Sequence, residues 1–121
     1  MKVLVVDDSA IMRKVIISIL NSMDIATEDI EQAEDGVQAV NKASASQYNI
    51  ILMDWNMPNM LGIDAVREIR ASGNKTPILM VTTEGERTNV ITAIQAGANN
   101  YLVKPFNAGD LRDKLGELIS N

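Results

Sequence analysis

Asp7, Asp8, Asp54, Thr82 and Lys104 could do chemistry together, because each closes or follows a short apolar run. Asp7 and Asp8 follow Lys2-Val-Leu-Val-Val6, Asp54 follows Ile50-Ile-Leu-Met53, Thr82 ends Ile78-Leu-Met-Val-Thr82, and Lys104 ends Tyr101-Leu-Val-Lys104. Continuous apolar runs of this length are how strands buried on both faces of a parallel sheet read, and open α/β sheets bind ligands at the carboxyl ends of their strands. If the runs before Asp7 and Asp54 are neighbours, three carboxylates crowd one pocket. Two charges about 4 Å apart repel by roughly 4 kcal/mol at an effective dielectric near 20, so three pairs could reach on the order of 10 kcal/mol. Lys104 supplies one compensating charge and a helix N-terminus a fraction more; a divalent cation is the natural remainder. With only oxygen ligands on offer the expected ion is hard and octahedral, Mg²⁺ first and Mn²⁺ as its substitute. Such a site suits phosphoryl transfer, and a carboxylate can itself be the nucleophile. Asp54 is the candidate for that role, with Asp7 and Asp8 chiefly holding the metal.

Each of these residues has a plainer reading on its own. Asp7 or Asp8 could be a helix cap or a solvated strand end, Lys104 before Pro105 a surface lysine at a turn, Thr82 an ordinary β-branched strand residue. Tyr101 could be a core-edge residue whose hydroxyl reaches water, and Trp55, Met57 and Met60 simple packing around the loop. The conjunction of site-competent groups at successive strand ends is what favours chemistry.

The elements that must position them follow from periodicity. Ser9 is a plausible N-cap, and Ile11, Met12, Val15, Ile16, Ile19, Leu20 and Met23 recur at helical spacing, predicting a first helix over Ala10 to Met23. Asp29 to Ala33 is a short, acidic second strand; Asp35-Gly36 is a turn, and Val37, Val40 and Ala43 suit a modest second helix. After the Ile50–Met53 strand, Ile63, Val66 and Ile69 mark a third helix that Gly73 and Asn74 should end. A fourth helix carries Val90, Ile91 and Ile94 and stops at Gly97, and a fifth buries Leu111, Leu115, Leu118 and Ile119. Five strands alternating with five helices imply an α/β fold, one doubly wound five-stranded parallel sheet with helices on both faces and right-handed crossovers.

Composition excludes several classes. The 121 residues suit one domain, 1–121, with a single core, and the sequence ends with the fifth helix, so no output domain is expected. There is no cysteine and no histidine, which removes disulfides, thiol catalysis, zinc ribbons and the usual general base. A net charge of −5 argues against direct binding of nucleic acid. No apolar run approaches the roughly 18 residues of a membrane span and no leader is evident, so a soluble cytoplasmic protein is expected.

VVDDS at Val5–Ser9, MDWNMPNMLG at Met53–Gly62, MVTTE at Met80–Glu84 and YLVKPF at Tyr101–Phe106 resemble the signatures of response-regulator receiver domains. The likeness covers essentially the whole chain and is closest to stand-alone chemotaxis regulators of the CheY type. It implies the flavodoxin-like strand order 2-1-3-4-5. It also implies a two-component phosphorelay switch, not an enzyme in the ordinary sense: Asp54 accepts a phosphoryl group from a sensor histidine kinase. Mg²⁺ is held by Asp8, Asp54 and the Asn56 carbonyl, with Asp7 acting mostly through water. Lys104 and Thr82 contact phosphoryl oxygens, Tyr101 moves inward into space that Thr82 vacates, and the Lys104–Pro105 peptide is cis. Asn56 and Glu84 resemble the polar residues that let water reach the acyl phosphate in quickly resetting receivers. Helix 4, strand 5 and helix 5, with Val90, Tyr101 and Lys114 exposed, form the partner surface, its target the flagellar motor switch; a phosphatase is a further partner and a monomer is expected. Leu61 and Thr83 depart from the pattern of chemotaxis relatives, and no role is assigned to either.

Rival classes fit less well. A flavodoxin-like electron carrier would cradle an FMN phosphate where Asp7 and Asp8 would repel it. An aspartate-nucleophile phosphatase wants D-x-D spacing where these carboxylates are adjacent. A calcium loop beginning at Asp54 fails at Pro58, Asn59 and Ala65. A phosphate sink that accepts the group and signals nothing stays open.

Overall fold

A computed structural model describes residues 1–119. Strands β1 (Val3–Val6), β2 (Ile30–Ala33), β3 (Ile50–Met53), β4 (Ile78–Thr82) and β5 (Asn100–Val103) alternate with helices α1 (Ala10–Ser22), α2 (Gly36–Ala45), α3 (Gly62–Ala71), α4 (Arg87–Ala96) and α5 (Ala108–Ile119). The strands form one parallel sheet in the order 2-1-3-4-5. The apolar runs are continuous because both faces are covered. Val3, Val5, Ile50, Leu52, Leu79 and Val81 face α1 and α5, whereas Leu4, Val6, Ile51, Met53, Ile78 and Met80 face α2, α3 and α4. The two edge strands break the rule: β5 buries Tyr101 and Leu102 but not Asn100 and Val103, and β2 buries Ile30 and Ala33 but not Glu31 and Gln32, the two polar residues that make it read weakly.

The predicted boundaries hold to within a residue or two. Asp29 belongs to a 3₁₀ turn (Thr27–Asp29), Met23 is the C-cap of α1, and Lys104 lies just past β5. Ser9 does cap α1, its hydroxyl accepting from the Met12 N–H at 3.2 Å. Gly97 ends α4 at φ 122°, and Gly73 follows α3 at φ 87°, both left-handed conformations that favour glycine.

Two predicted helix faces are corrected. On α1 the residues against the sheet are Arg13, Ile16 and Leu20, while Ile11 is 77% exposed and Val15 is exposed too. Steps of three and four residues from Leu20 reach Arg13, so a broad apolar distribution leaves Ile11 and Val15 on the far side. On α4 the fully buried residue is Ala93, with Val90 and Ala96 beside it; Ile91 and Ile94 point to solvent.

Candidate functional site

Because β1 and β3 pair in register, Val6 opposite Met53, the chain direction brings Asp7 and Asp54 to the same end of the sheet. The Asp54 N–H donates to the Val6 carbonyl at 3.0 Å, and the Asp7 N–H to the Ala33 carbonyl at 3.1 Å. One carboxylate oxygen from each of Asp7, Asp8 and Asp54 lies within 4.8 Å of the others. Lys104, 97 residues from Asp7 in sequence, closes the cluster: its Nζ donates to Asp7 Oδ2 at 2.7 Å and Asp54 Oδ2 at 3.2 Å. The Lys104 N–H is itself held by the Thr82 carbonyl at 2.8 Å, and the Lys104–Pro105 peptide is cis.

The three carboxylates are not equivalent. Asp7 is 1% exposed, its Oδ1 accepting from the Ser9 N–H at 2.9 Å, and it is the shorter partner of Lys104. Asp54 is 7% exposed and accepts from the Trp55 N–H at 2.7 Å, whereas Asp8 is open to solvent. Burial pushes the Asp54 carboxyl above its ordinary range, outweighing the opposing Lys104 charge, and Asp7 adds repulsion. Lys104 ends above the ordinary lysine value: burial lowers it, but the Asp7 hydrogen bond and the charges of Asp54 and Asp7 prevail.

Loops complete the rim. Gly62 packs so closely under Asp54 that a Cβ there would lie 1.7 Å from the Asp54 carbonyl oxygen, and the Gly62 N–H donates to the Trp55 carbonyl at 2.8 Å. Asn56 Nδ2 donates to Glu84 Oε1 at 2.7 Å, so the two tuning candidates meet across the mouth of the cluster. Thr82 is fully buried, its hydroxyl accepting from the Glu84 N–H at 3.3 Å. The Tyr101 hydroxyl donates to the Glu84 carbonyl, and burial pushes it up to about 12, with the Glu84 and Asp54 charges adding to the shift.

The expectation that Tyr101 is exposed is corrected. The residue is 7% exposed and belongs to the core cluster shared with α3 and α4, its hydroxyl donating to the Glu84 carbonyl. Val90 and Lys114, also expected to be exposed, are half-buried on α4 and α5, and Val90 packs against the same core cluster as Tyr101. Thr83 and Leu61 are exposed. Sequence reasoning missed Arg13, which is 8% exposed and whose guanidinium donates to the Asp7 carbonyl and, at 2.8 Å, to Gln32 Oε1. A cation one turn after a cap, on the face toward the sheet, was the available signal.

Every candidate donor in the cluster is an oxygen and the net charge of the group is negative, so the residues fit a hard divalent cation such as Mg²⁺.

The response regulator receiver domain family matches residues 3–116. The chain is 47% identical over 118 residues to the chemotaxis protein CheY1 of Helicobacter pylori, covering 95% of this chain and 94% of that one. It is 39% identical over 121 residues to chemotaxis protein CheY-3 of Vibrio cholerae, covering 98% and 92%. Among solved structures, the receiver domain of the sensor histidine kinase PA1611 from Pseudomonas aeruginosa superposes with a TM-score of 0.88 at 34% identity, over 99% of this chain and 98% of that one. That structure has a magnesium ion coordinated in its active-site cleft.

Proposed function

The chain belongs to the response-regulator receiver family, and from that premise we propose that residues 1–121 act as one receiver domain whose Asp54 takes a phosphoryl group from a histidine kinase. The observation that carries this reading is the Lys104 ammonium bridging Asp7 and Asp54 beside a triad of carboxylate oxygens. An Asp54 oxygen attacks phosphorus as the P–N bond of the donor phosphoimidazole breaks, the nitrogen keeping the electron pair and taking a proton from water. Asp8, Asp54 and the Asn56 carbonyl, with Asp7 through water, would hold Mg²⁺. Bound there, the ion supplies charge compensation for phosphoryl oxygens that would otherwise be repelled by the carboxylates.

Lys104 stabilises the transferred group by charge, and Thr82 donates its hydroxyl to a phosphoryl oxygen in exchange for its contact with Glu84. Tyr101 already occupies the inward position, so phosphorylation acts as a population shift that favours this arrangement over an outward one. Water then cleaves the acyl phosphate, its oxygen joining phosphorus as the Asp54 carboxylate leaves. Asn56 and Glu84 flank that approach and set the lifetime. The output face is α4, β5 and α5, where Ile91, Ile94 and Val103 are exposed apolar residues. Its target is a flagellar motor switch protein, in keeping with the chemotaxis proteins among the relatives.

Trp55, the sole tryptophan, adjoins Asp54 and reports on the test. Its fluorescence should respond to Mg²⁺, and again to acetyl phosphate only when Mg²⁺ is present, with Asp54→Asn abolishing the second response and the mass gain of one phosphoryl group. Phosphorylation at another residue would overturn the assignment. A phosphorylated form that binds no motor-switch peptide would point to a phosphate sink.

A further inference from the structure

The loop from Asp54 to Gly62 is fastened at a point remote from the carboxylates. Its tip, Asn59, adopts a left-handed φ of 67° and donates through Nδ2 to Asp35 Oδ2 at 2.7 Å. The next carbonyl, that of Met60, accepts from the Gly36 N–H at 3.2 Å. The approach is so close that a Cβ on Gly36 would stand 2.6 Å from that oxygen. Asp35 is buried, and its other oxygen caps α2 by accepting from the Gln38 N–H at 2.8 Å. Both oxygens are therefore committed, one to the helix and one to the loop. The Gln38 N–H and the Asn59 amide also hold this carboxyl below its ordinary range, keeping it an acceptor.

The loop thus has three pins. Asp54 is held by β1, Gly62 by the Trp55 carbonyl, and the tip by the start of α2. Asn56 lies between the first pin and the tip.

We infer that Asp35, at the N-terminus of α2, is a positioning residue for the cation: through Asn59 and Met60 it fixes the loop whose Asn56 carbonyl completes the oxygen set. This rests on the metal site proposed above. Asp35 is not one of the carboxylates of the Asp7, Asp8 and Asp54 cluster. Partners that orient metal ligands without touching the metal typically change affinity by tenfold or more when removed.

A role confined to capping α2 makes a different prediction, and two variants separate them. Asp35→Ser keeps a good cap for the Gln38 N–H but is too short for Asn59. Asn59→Gly keeps the left-handed backbone and removes the amide arm. Titrating Mg²⁺ against Trp55 fluorescence, each variant should bind about tenfold more weakly than the wild type. The double variant should bind no more weakly than the weaker single, since both changes break one contact. Unchanged affinity in the single variants, or losses that add in the double, would overturn the role of Asp35. A wild-type protein with no Mg²⁺ response would overturn the metal site itself, and the role of Asp35 with it.

Discussion

Replacing Lys104 by methionine removes the cation at the centre of the acidic cluster while keeping most of its volume. Its ammonium is 2.7 Å from Asp7 and 3.2 Å from Asp54, and the three side chains are 12%, 2% and 9% exposed. At an effective dielectric of 20 these distances correspond to about 6 and about 5 kcal/mol of attraction, most of which offsets the cost of burying the three charges. Removing one partner of such a group leaves the others uncompensated, at a typical cost of about 3–5 kcal/mol. For a domain of this size that lowers the melting temperature by roughly 10–20 °C. The assay is thermal unfolding of wild type, Lys104→Met, Asp54→Asn and the double variant, each with and without Mg²⁺. The single Lys104→Met variant should be the least stable in chelator, should regain more from Mg²⁺ than the wild type does, and should be partly rescued by Asp54→Asn. A Lys104→Met protein as stable as the wild type in chelator would refute the charge-compensation account.

Other expectations follow from the same geometry. Gly62→Ala should cost about 3 kcal/mol and abolish the Trp55 response to Mg²⁺, because its methyl would sit 1.7 Å from the Asp54 carbonyl and push the loop away; urea unfolding and a Mg²⁺ titration check both. Because the Asp54 carboxyl is raised above its ordinary 3.8, ionising it is destabilising. In chelator, therefore, the wild type should lose stability relative to Asp54→Asn as pH rises from 3.8 through the raised folded value and then level off; a gap independent of pH would count against the shift. Asn56→Arg replaces the small amide that meets Glu84 with a bulky cation at the water approach, so the acyl phosphate should persist longer in a radiolabel decay assay; an unchanged decay rate would discard that role.

How much of this was legible beforehand depended on how local the signal was. The continuous runs at Val3–Val6, Ile50–Met53 and Ile78–Thr82 announced buried parallel strands because both faces are apolar. Asp54, Lys104 and Thr82 stood out because each interrupts or ends such a run. The edge strand β2 was faint because it has a neighbour on one edge only, and on each face one polar residue, Glu31 or Gln32, stays outside the core. Ile91 and Ile94 misled because apolarity at helical spacing does not say which flank faces the sheet; on α4 that flank is Ala93 with Val90 and Ala96 beside it.

From its residues alone, then, the chain determined the order of its elements, the absence of thiol and imidazole chemistry, and the set of oxygens and one ammonium from which a site could be made. Only the tertiary structure decided that Asp7 is buried while Asp8 is exposed, that Lys104 grips Asp7 more closely than Asp54, that Tyr101 lies inside, and that Asp35 reaches Asn59. The physical reason is distance along the chain. These contacts join residues 17 to 97 positions apart, and no local pattern records them; they exist because parallel pairing in the order 2-1-3-4-5 delivers separate strand ends to one rim.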